Sequence, residues 1–559
     1  MRLKLNLVSA VLALLGLGLT HSSETDNGQT VHQIAVIGAG AAGSSATYHL
    51  NAYAKQAGIR VNITLFEKTN RIGGRTLTIN PYDDPSLRVE LGASIFIEKN
   101  HILYGALQEF NLSKRIPDED KDPVLGIWDG EKFVFTIDER GPFWWTALKV
   151  IWKYGFMAPR RTQKLMQTTI NKFLRMYEEP FFPFRSLTQR AHELGLVEIT
   201  AVTGQELLKA NKIDDHYAHD IVQASTRVNY ASNLGFIHGL DTMVSMAPEG
   251  AMSVEGGNWQ IFHKMVESSG AILALNTSVV ALEFAEESAT STRPQYAIRT
   301  ASSTLSSGTR YPVTFDDVII AGPYQFSNIV AAENVIPDPI DEIPYVQLHV
   351  TIFSSTHRYS PQFFGLDGST SIPGTILTTL SEANDPAAGD PGAGKAGFFS
   401  ISILRNAINP KTGRKEYIYK IFSPNKITPE FLSDLLGAKV PGTFIDNNGE
   451  SGGDSPISWY YPHVFYSYPK ALPRVTFQDP VVGRGIYYTS GMESFISTME
   501  TNALMGKNVA RLLVDDILGS TATDNGAVFV DDLVGEGKQH ILAQPAKDQA
   551  ASPTPIRDL

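Results

Sequence analysis

Between residues 32 and 67 the chain carries a pattern suited to holding a pyrophosphate. His32-Gln-Ile-Ala-Val-Ile37 reads as a short buried strand, and Gly38-Ala39-Gly40-Ala41-Ala42-Gly43 follows it, opening a helix toward Ala57. In such a turn Gly38 allows a tight bend, Gly40 lets backbone approach the ligand, and Gly43 lets the helix pack closely on the strand. The unsatisfied N–H groups and positive dipole end of that helix then meet the phosphates. Val61 to Phe66 reads as a second strand, and it ends in Glu67, 24 residues beyond Gly43, where a carboxylate can hold ribose hydroxyls. A glycine spacing alone is a weak signal. Strand, glycines, helix, strand and acid in succession predict a dinucleotide site.

After Glu67 and Lys68 comes Arg71-Ile-Gly73-Gly74-Arg75. Its glycine pair gives close backbone approach, and its two arginines offer donors to phosphate oxygens, although a glycine turn with solvated arginines reads the same in isolation. The segment resembles the second glycine-rich signature of the FAD-dependent amine oxidase superfamily. The resemblance continues in Glu90-Leu-Gly92-Ala93-Ser94, in the strand from Asn276 to Leu282, in Asp316-Asp-Val-Ile-Ile-Ala-Gly-Pro323, and in the strand Arg484 to Ser490. There Gly491-Met492-Glu493 forms a turn before a helix beginning at Thr498. It implies an α/β fold: a Rossmann-type FAD-binding domain of the two-dinucleotide-binding-domain flavoprotein type, with a mixed α+β substrate lobe. It also implies FAD held by the glycine loops, by Glu67, Lys68, Arg71 and Arg75, by a backbone group at Val279 near the adenine, and by the Gly491 turn. The last helix then aims its N-terminus at the flavin, with the Met499 N–H as donor and partial positive charge stabilising the reduced ring.

Within that superfamily the chain is similar to the prenylcysteine oxidases, also called prenylcysteine lyases. Arg227-Val-Asn-Tyr230 with Ile237-His238-Gly239-Leu240, Met252 to Asn258, and the Gly491 block carry the likeness. It implies an oxidase that uses non-covalent FAD, O2 and water to cleave the thioether of farnesyl- or geranylgeranyl-cysteine into cysteine, a prenyl aldehyde and hydrogen peroxide. Loss of hydride from the carbon beside sulfur needs little acid–base help. His238 and His463 are candidates to assist collapse of the hemithioacetal, a lone histidine being more often a satisfied structural residue. A long isoprenoid calls for an apolar, aromatic pocket, for which Tyr230, Trp459 and Tyr461 are candidates. Phe143-Trp144-Trp145, Trp152, Tyr154 and Phe156 crowd one stretch; Trp144 and Phe156 are expected in the core. With Lys149, Lys153, Arg160 and Arg161 the same stretch could rest on a membrane surface, a packed helix with solvated lysines being the commoner arrangement. Two other functions stay open: an amine oxidase-type enzyme acting on another hydrophobic substrate, and a catalytically inactive lipid-binding flavoprotein.

These motifs must be brought together from distant parts of the chain. Residues 31–100, 250–330 and 455–518 are expected to build the FAD-binding domain. Residues 101–249 should form a mainly helical substrate lobe, since Leu165, Met166, Ile170, Phe173 and Leu174 recur at helical spacing, and 331–454 a strand-rich one. Residues 519–559 read as a disordered tail. At the start, Arg2 and Lys4 precede an apolar run from Leu5 to Leu19, which reads as a signal peptide within residues 1–22, shorter than the roughly 20 residues needed to span a bilayer. The expected destination is the secretory pathway: secreted, vacuolar or lysosomal, with no span in the mature chain. Of the sequons at Asn62, Asn111 and Asn276, the first falls in a strand, leaving Asn111 and Asn276 as glycosylation candidates.

Composition bounds the rest. With 43% hydrophobic and 19% charged residues the chain is globular. Lys plus Arg number 47 against 58 Asp plus Glu, and a net charge of −11 argues against a nucleic-acid partner. The absence of cysteine excludes disulfides, thiolate catalysis, Cys-ligated zinc, iron–sulfur clusters and flavin attachment through Cys; no metal is expected.

Overall fold

Buried runs rich in Ile, Val and Leu build the first sheet. In the computed structural model Gln29–Ile37 pairs in parallel with Arg60–Phe66, and Ala41–Ala57 is the helix that connects them. Ile272–Ala274 extends the sheet beside Arg60–Phe66, while Asp317–Ile320 and then Ile486–Tyr488 extend it on the other side, all parallel. Val481–Gly483 closes that edge antiparallel. Strands from both ends of the chain therefore meet in one layer, and the Met499–Ile517 helix returns to lie against Ala41–Ala57, where Ser45 Oγ donates to Ala503 O at 2.6 Å. The structure describes residues 25–26, 29–115, 122–138, 140–247, 250–285, 293–302, 305–381, 392–445 and 456–519. The expected signal peptide, and the expected tail beyond Gly519, lie outside them.

The second large sheet also has seven strands, in the order Trp459–Pro469, Tyr345–Ser355, Lys415–Ser423, Ser400–Ile408, Thr375–Thr378, Val124–Trp128 and Phe133–Asp138. It differs from the sequence-based partition in two places. Trp459–Pro469, expected in the cofactor domain, pairs antiparallel with Tyr345–Ser355 and so belongs to the substrate lobe. Val124–Trp128 and Phe133–Asp138 interrupt the region expected to be mainly helical, because their alternating apolar residues complete this sheet. The helices from Phe143 to Ser245 pack on one another around Phe173, Leu187, Leu208 and Leu240. Arg227, fully buried, fastens the Gln223–Tyr230 helix to the sheet by donating to Thr378 Oγ1 at 2.8 Å, Asn233 Oδ1 at 2.8 Å and Ala393 O at 2.7 Å.

Trp144 and Phe156, expected in the core, are exposed, and of their neighbours only Tyr154 is buried among the described side chains of the aromatic stretch. On the Phe143–Tyr154 helix Trp144, Trp145, Leu148, Ile151 and Trp152 share one outward stripe, and Trp144 is 64% and Trp152 87% exposed. Phe156 and Met157 continue the exposed surface. The helix is pinned from its inner side, where the Tyr154 hydroxyl and Lys153 Nζ donate to Asp220 Oδ2 at 2.8 and 2.7 Å.

One charge inside the first sheet makes stability depend on pH. Burial pushes the Asp317 carboxyl up to about 7, and its Oδ2 has no hydrogen-bond partner. Its folded-state pKa is thus raised: the unfolded chain gives up the proton near pH 4, the folded one only near 7, so stability falls as pH rises through that window. Asp317→Asn should remove this residue's share of the fall, matching wild type at pH 4 and exceeding it at pH 8 by on the order of 2–4 kcal/mol in stability, as thermal melts across that range will show.

Candidate active site

The two glycine loops lie against each other. Gly38 N donates to Phe66 O at 2.8 Å, and Gly73 N to Ala39 O at 2.8 Å, lacing the 38–43 turn to the 71–75 turn. Gly38 sits at φ +105, and a Cβ there would lie 2.8 Å from Ala321 O. Across the gap a Cβ on Gly74 would stand 3.1 Å from Gly40 Cα, so these bare backbones form a cradle that side chains would fill. The Ala41–Ala57 helix starts at Gly40 with no side-chain cap. Its first N–H groups open onto the cradle, the arrangement that binds phosphate. Glu67 is tied into the same turn, accepting from Ala39 N at 2.9 Å through Oε2 and from Thr69 N and Oγ1 at 2.8 Å through Oε1; Oε2, with one donor, keeps acceptor capacity for a ligand hydroxyl.

A cavity of about 840 Å³ opens from this cradle into the substrate lobe. Of the candidate residues, Gly38, Gly40, Ala41, Ala42, Glu67, Lys68, Arg71, Gly73, Gly74, Arg75, Gly92, Ala93, Ser94, Val279, Glu493, Met499 and Tyr230 line it. The substrate lobe contributes apolar side chains to it, Ile170, Phe173 and Leu174 from one helix and Leu404, Phe422 and Phe465 from the sheet. Thr498 caps the Met499–Ile517 helix through Thr501 N, and its Thr498–Met499 end faces the cavity. Ser490 Oγ, also on the wall, is buried without a hydrogen-bond partner. Cradle, uncapped helix end, acid and unpartnered hydroxyl fit a dinucleotide of FAD size.

Several candidates play other parts. Ala39 and Gly43 lie behind the wall, the first giving its N–H to Glu67 and the second packed on Gly38 O. Gly491 packs on Gln478 O, and Met492 is a fully buried core residue. Arg75 does not stand ready for phosphate: its Nη2 donates to Glu493 Oε1 at 2.7 Å and its Nη1 to Ser467 O at 2.9 Å, while Tyr345 OH holds the other Glu493 oxygen at 2.9 Å. Arg71 Nη2 donates to Gly74 O at 2.7 Å and stiffens its own turn. His238 is a helix cap, fully buried, with Nδ1 accepting from Asp241 N at 3.2 Å; burial holds its pKa down near 4, so it is neutral and away from the cavity. His463 stands beside Phe465, ring centroids 4.3 Å apart, and it too is absent from the wall, as are Trp459 and Tyr461, which stack on each other outside it.

Sequence reasoning missed Lys420, Asn229, Ser400 and Ser402, all on the wall. Lys420 Nζ donates to Glu90 O at 3.2 Å and Ser94 Oγ at 3.3 Å. The signal for it was a lysine inside the apolar run Tyr417-Ile-Tyr-Lys-Ile-Phe422. Burial raises the neighbouring Glu90 carboxyl to about 7. Among the described residues no group of three or more His, Cys, Asp or Glu could hold a metal ion.

A family model described as prenylcysteine lyase matches residues 137–525, and one described as an NAD(P)-binding Rossmann-like domain matches residues 36–110. The chain is 28% identical over 524 residues to farnesylcysteine lyase of Arabidopsis thaliana, covering 91% of this chain and 92% of that protein. It is 28% identical to prenylcysteine oxidase 1 of Bos taurus, covering 88% and 89%. Similar solved structures include a fatty acid isomerase from P. acnes, with a TM-score of 0.53 at 14% identity over 86% of this chain and 98% of that one. Cyclohexylamine oxidase from Brevibacterium oxydans gives a TM-score of 0.50 at 15% identity over 87% and 99%. At such identities the structural likeness establishes the fold alone.

Proposed function

Since the chain belongs to the prenylcysteine lyase family, we propose that it is an FAD-dependent oxidoreductase that cleaves the thioether of farnesyl- or geranylgeranyl-cysteine. The reaction balances as prenylcysteine plus O2 plus water giving cysteine, prenyl aldehyde and hydrogen peroxide. The observation that carries this reading is one cavity bounded by both glycine loops on one side and by apolar side chains of the substrate lobe on the other.

When bound, FAD supplies the two-electron oxidation of the carbon beside sulfur, with O2 as terminal acceptor. The protein's own work is to bind, orient and exclude water. The Gly40–Gly74 cradle and the open end of the Ala41–Ala57 helix would hold the pyrophosphate, Glu67 the ribose, and the Val279 backbone the adenine. The Met499–Ile517 helix, whose start lines the cavity, would present the Met499 N–H and its dipole to the flavin and favour added negative charge there. Ile170, Phe173, Leu174, Leu404 and Phe422 offer the apolar surface that would bury the isoprenoid. Neither histidine candidate reaches the cavity, which agrees with a chemistry that asks for little proton transfer.

The exposed aromatic stripe supports peripheral contact with an anionic lipid surface. From Gly141 to Tyr177 the chain has seven basic residues, Lys149, Lys153, Arg160, Arg161, Lys164, Lys172 and Arg175, and no acidic one, within a molecule of net charge −11. Among the described residues no helix is long and apolar enough to cross a membrane. The apolar Leu5–Leu19 run and the exposed sequons at Asn111 and Asn276 support entry into the secretory pathway.

The purified protein should be yellow, bleach anaerobically with farnesylcysteine, and release one peroxide per aldehyde in air. Bleaching by primary amines in preference to farnesylcysteine would overturn the substrate class, and a colourless protein that binds no FAD would overturn the whole reading.

A further inference from the structure

A prenylcysteine presents two unlike ends to one cavity, a long apolar chain and a zwitterionic amino acid. Only the sulfur and two carbons separate the carbon to be oxidised from the carboxylate. Whatever reads that carboxylate must therefore lie close to the reacting centre, and a carboxylate in a largely apolar cavity demands a cation. Five cationic side chains line the cavity: Lys68, Arg71, Arg75, Lys99 and Lys420. Arg75 is committed to Glu493 and Ser467 O, and Arg71 to its own turn. Lys68 follows Glu67 at the ribose end, and Lys99 is exposed beside the helix that starts at His101.

Lys420 differs from these in origin and place. It comes from the substrate lobe, on the strand Lys415–Ser423, directly opposite Ser402 on the neighbouring strand, and both side chains line the cavity. Its Nζ reaches across to the turn at Gly92–Ser94 of the cofactor domain, donating to Glu90 O at 3.2 Å and Ser94 Oγ at 3.3 Å, so its charge stands where the two lobes meet on the cavity wall. Its ammonium lies over the Phe422 ring, 5.0 Å from the centroid, which helps fix where the charge sits. Apolar Leu404 and Phe422 stand beside it on the same wall.

We propose that Lys420, with Ser94 and Ser402 beside it, anchors the α-carboxylate of the substrate. This rests on the prenylcysteine reading and deepens it: the enzyme selects the free amino acid over prenylcysteine esters or prenylated peptides, whose carboxylate is masked. Lys420 is thus a specificity-determining residue, placing the carbon beside sulfur by holding the far side of the sulfur.

The test is a cycle between protein and substrate. Wild type and Lys420→Met are each given farnesylcysteine and its methyl ester, and binding is followed by perturbation of the flavin spectrum as well as by turnover. Wild type should bind the acid about 30-fold or more tighter than the ester, the worth of a hydrogen-bonded charge pair. Lys420→Met should bind both equally, its affinity for the acid dropping to that of the ester while its flavin content stays unchanged; Lys420→Arg should restore part of the preference. An acid preference that survives in Lys420→Met, or equal losses for acid and ester, overturns the assignment while turnover of both leaves the prenylcysteine reading standing. If wild type neither binds nor oxidises either compound, both fall together.

Discussion

Gly40→Asp is expected to yield a folded but colourless protein. The prediction turns on what each glycine of the 38–43 turn touches. A Cβ on Gly43 would sit 1.8 Å from Gly38 O, so even alanine there forces helix and strand apart. A Cβ on Gly40 meets nothing nearer than Gly74 Cα at 3.8 Å, ordinary contact, so the protein alone tolerates a side chain. What an aspartate at 40 excludes is the ligand: it fills the gap between the two loops and adds a negative charge where the pyrophosphate lies. Gly40→Asp should keep the circular dichroism of flavin-stripped wild type and melt within a few degrees of it. Its flavin content, from the ratio of 450 to 280 nm absorbance, should fall below a tenth of wild type. Stripped wild type is the proper reference, because lost cofactor lowers melting by itself. Gly43→Ala should instead lose about 3 kcal/mol or more of stability. A yellow Gly40→Asp would remove the pyrophosphate from this cradle.

The contrast between these glycines also marks what could be read from the sequence. The strand, turn, helix, strand and acid around Gly38 and Glu67 are local, so spacing alone placed them, and the structure brings them to one cavity wall. The resemblance carried the distant pieces, Gly92–Ser94, Val279 and Met499, to the same wall. What could not be read was pairing across long separations. Arg75 looks like a phosphate ligand until Glu493, more than 400 residues away, takes its guanidinium. Trp459 and Tyr461 look like pocket because they precede the flavin-side strand, yet their register against Tyr345–Ser355 puts them elsewhere. His238 looks catalytic as a lone histidine in a matched passage, and is a cap. Lys420 went unnoticed because a single lysine in a strand acquires meaning only when the Gly92–Ser94 turn is set against it.

The largest effect outside the cavity is expected on vesicle binding. The Phe143–Tyr154 helix turns its large apolar side chains outward although Tyr154 and Lys153 pin its other side, so the exposure is built into the packing. A stripe of tryptophan, leucine and isoleucine flanked by lysine and arginine is the composition that lies in a lipid interface. The neighbouring Met157–Leu174 helix carries exposed Met157 at one end and cavity-lining Ile170, Phe173 and Leu174 toward the other, about 20–25 Å along at about 1.5 Å per residue. If the stripe meets a bilayer as proposed, this helix joins that surface to the cavity. Trp144→Ser with Trp152→Ser should cost about 3 kcal/mol, roughly 100-fold, in affinity for vesicles containing phosphatidylserine, measured by co-sedimentation. Arg160→Glu with Lys164→Glu should cost at least about 2 kcal/mol, roughly 30-fold. The two losses separate by salt: added NaCl erases the second and spares the first, since exposed charges are screened and apolar burial is not. Neither pair faces the cavity, so turnover of farnesylcysteine in solution should stay at the wild-type rate, while turnover of substrate presented in vesicles falls with binding. Equal vesicle binding by wild type and both double variants would show that this stripe meets something other than lipid.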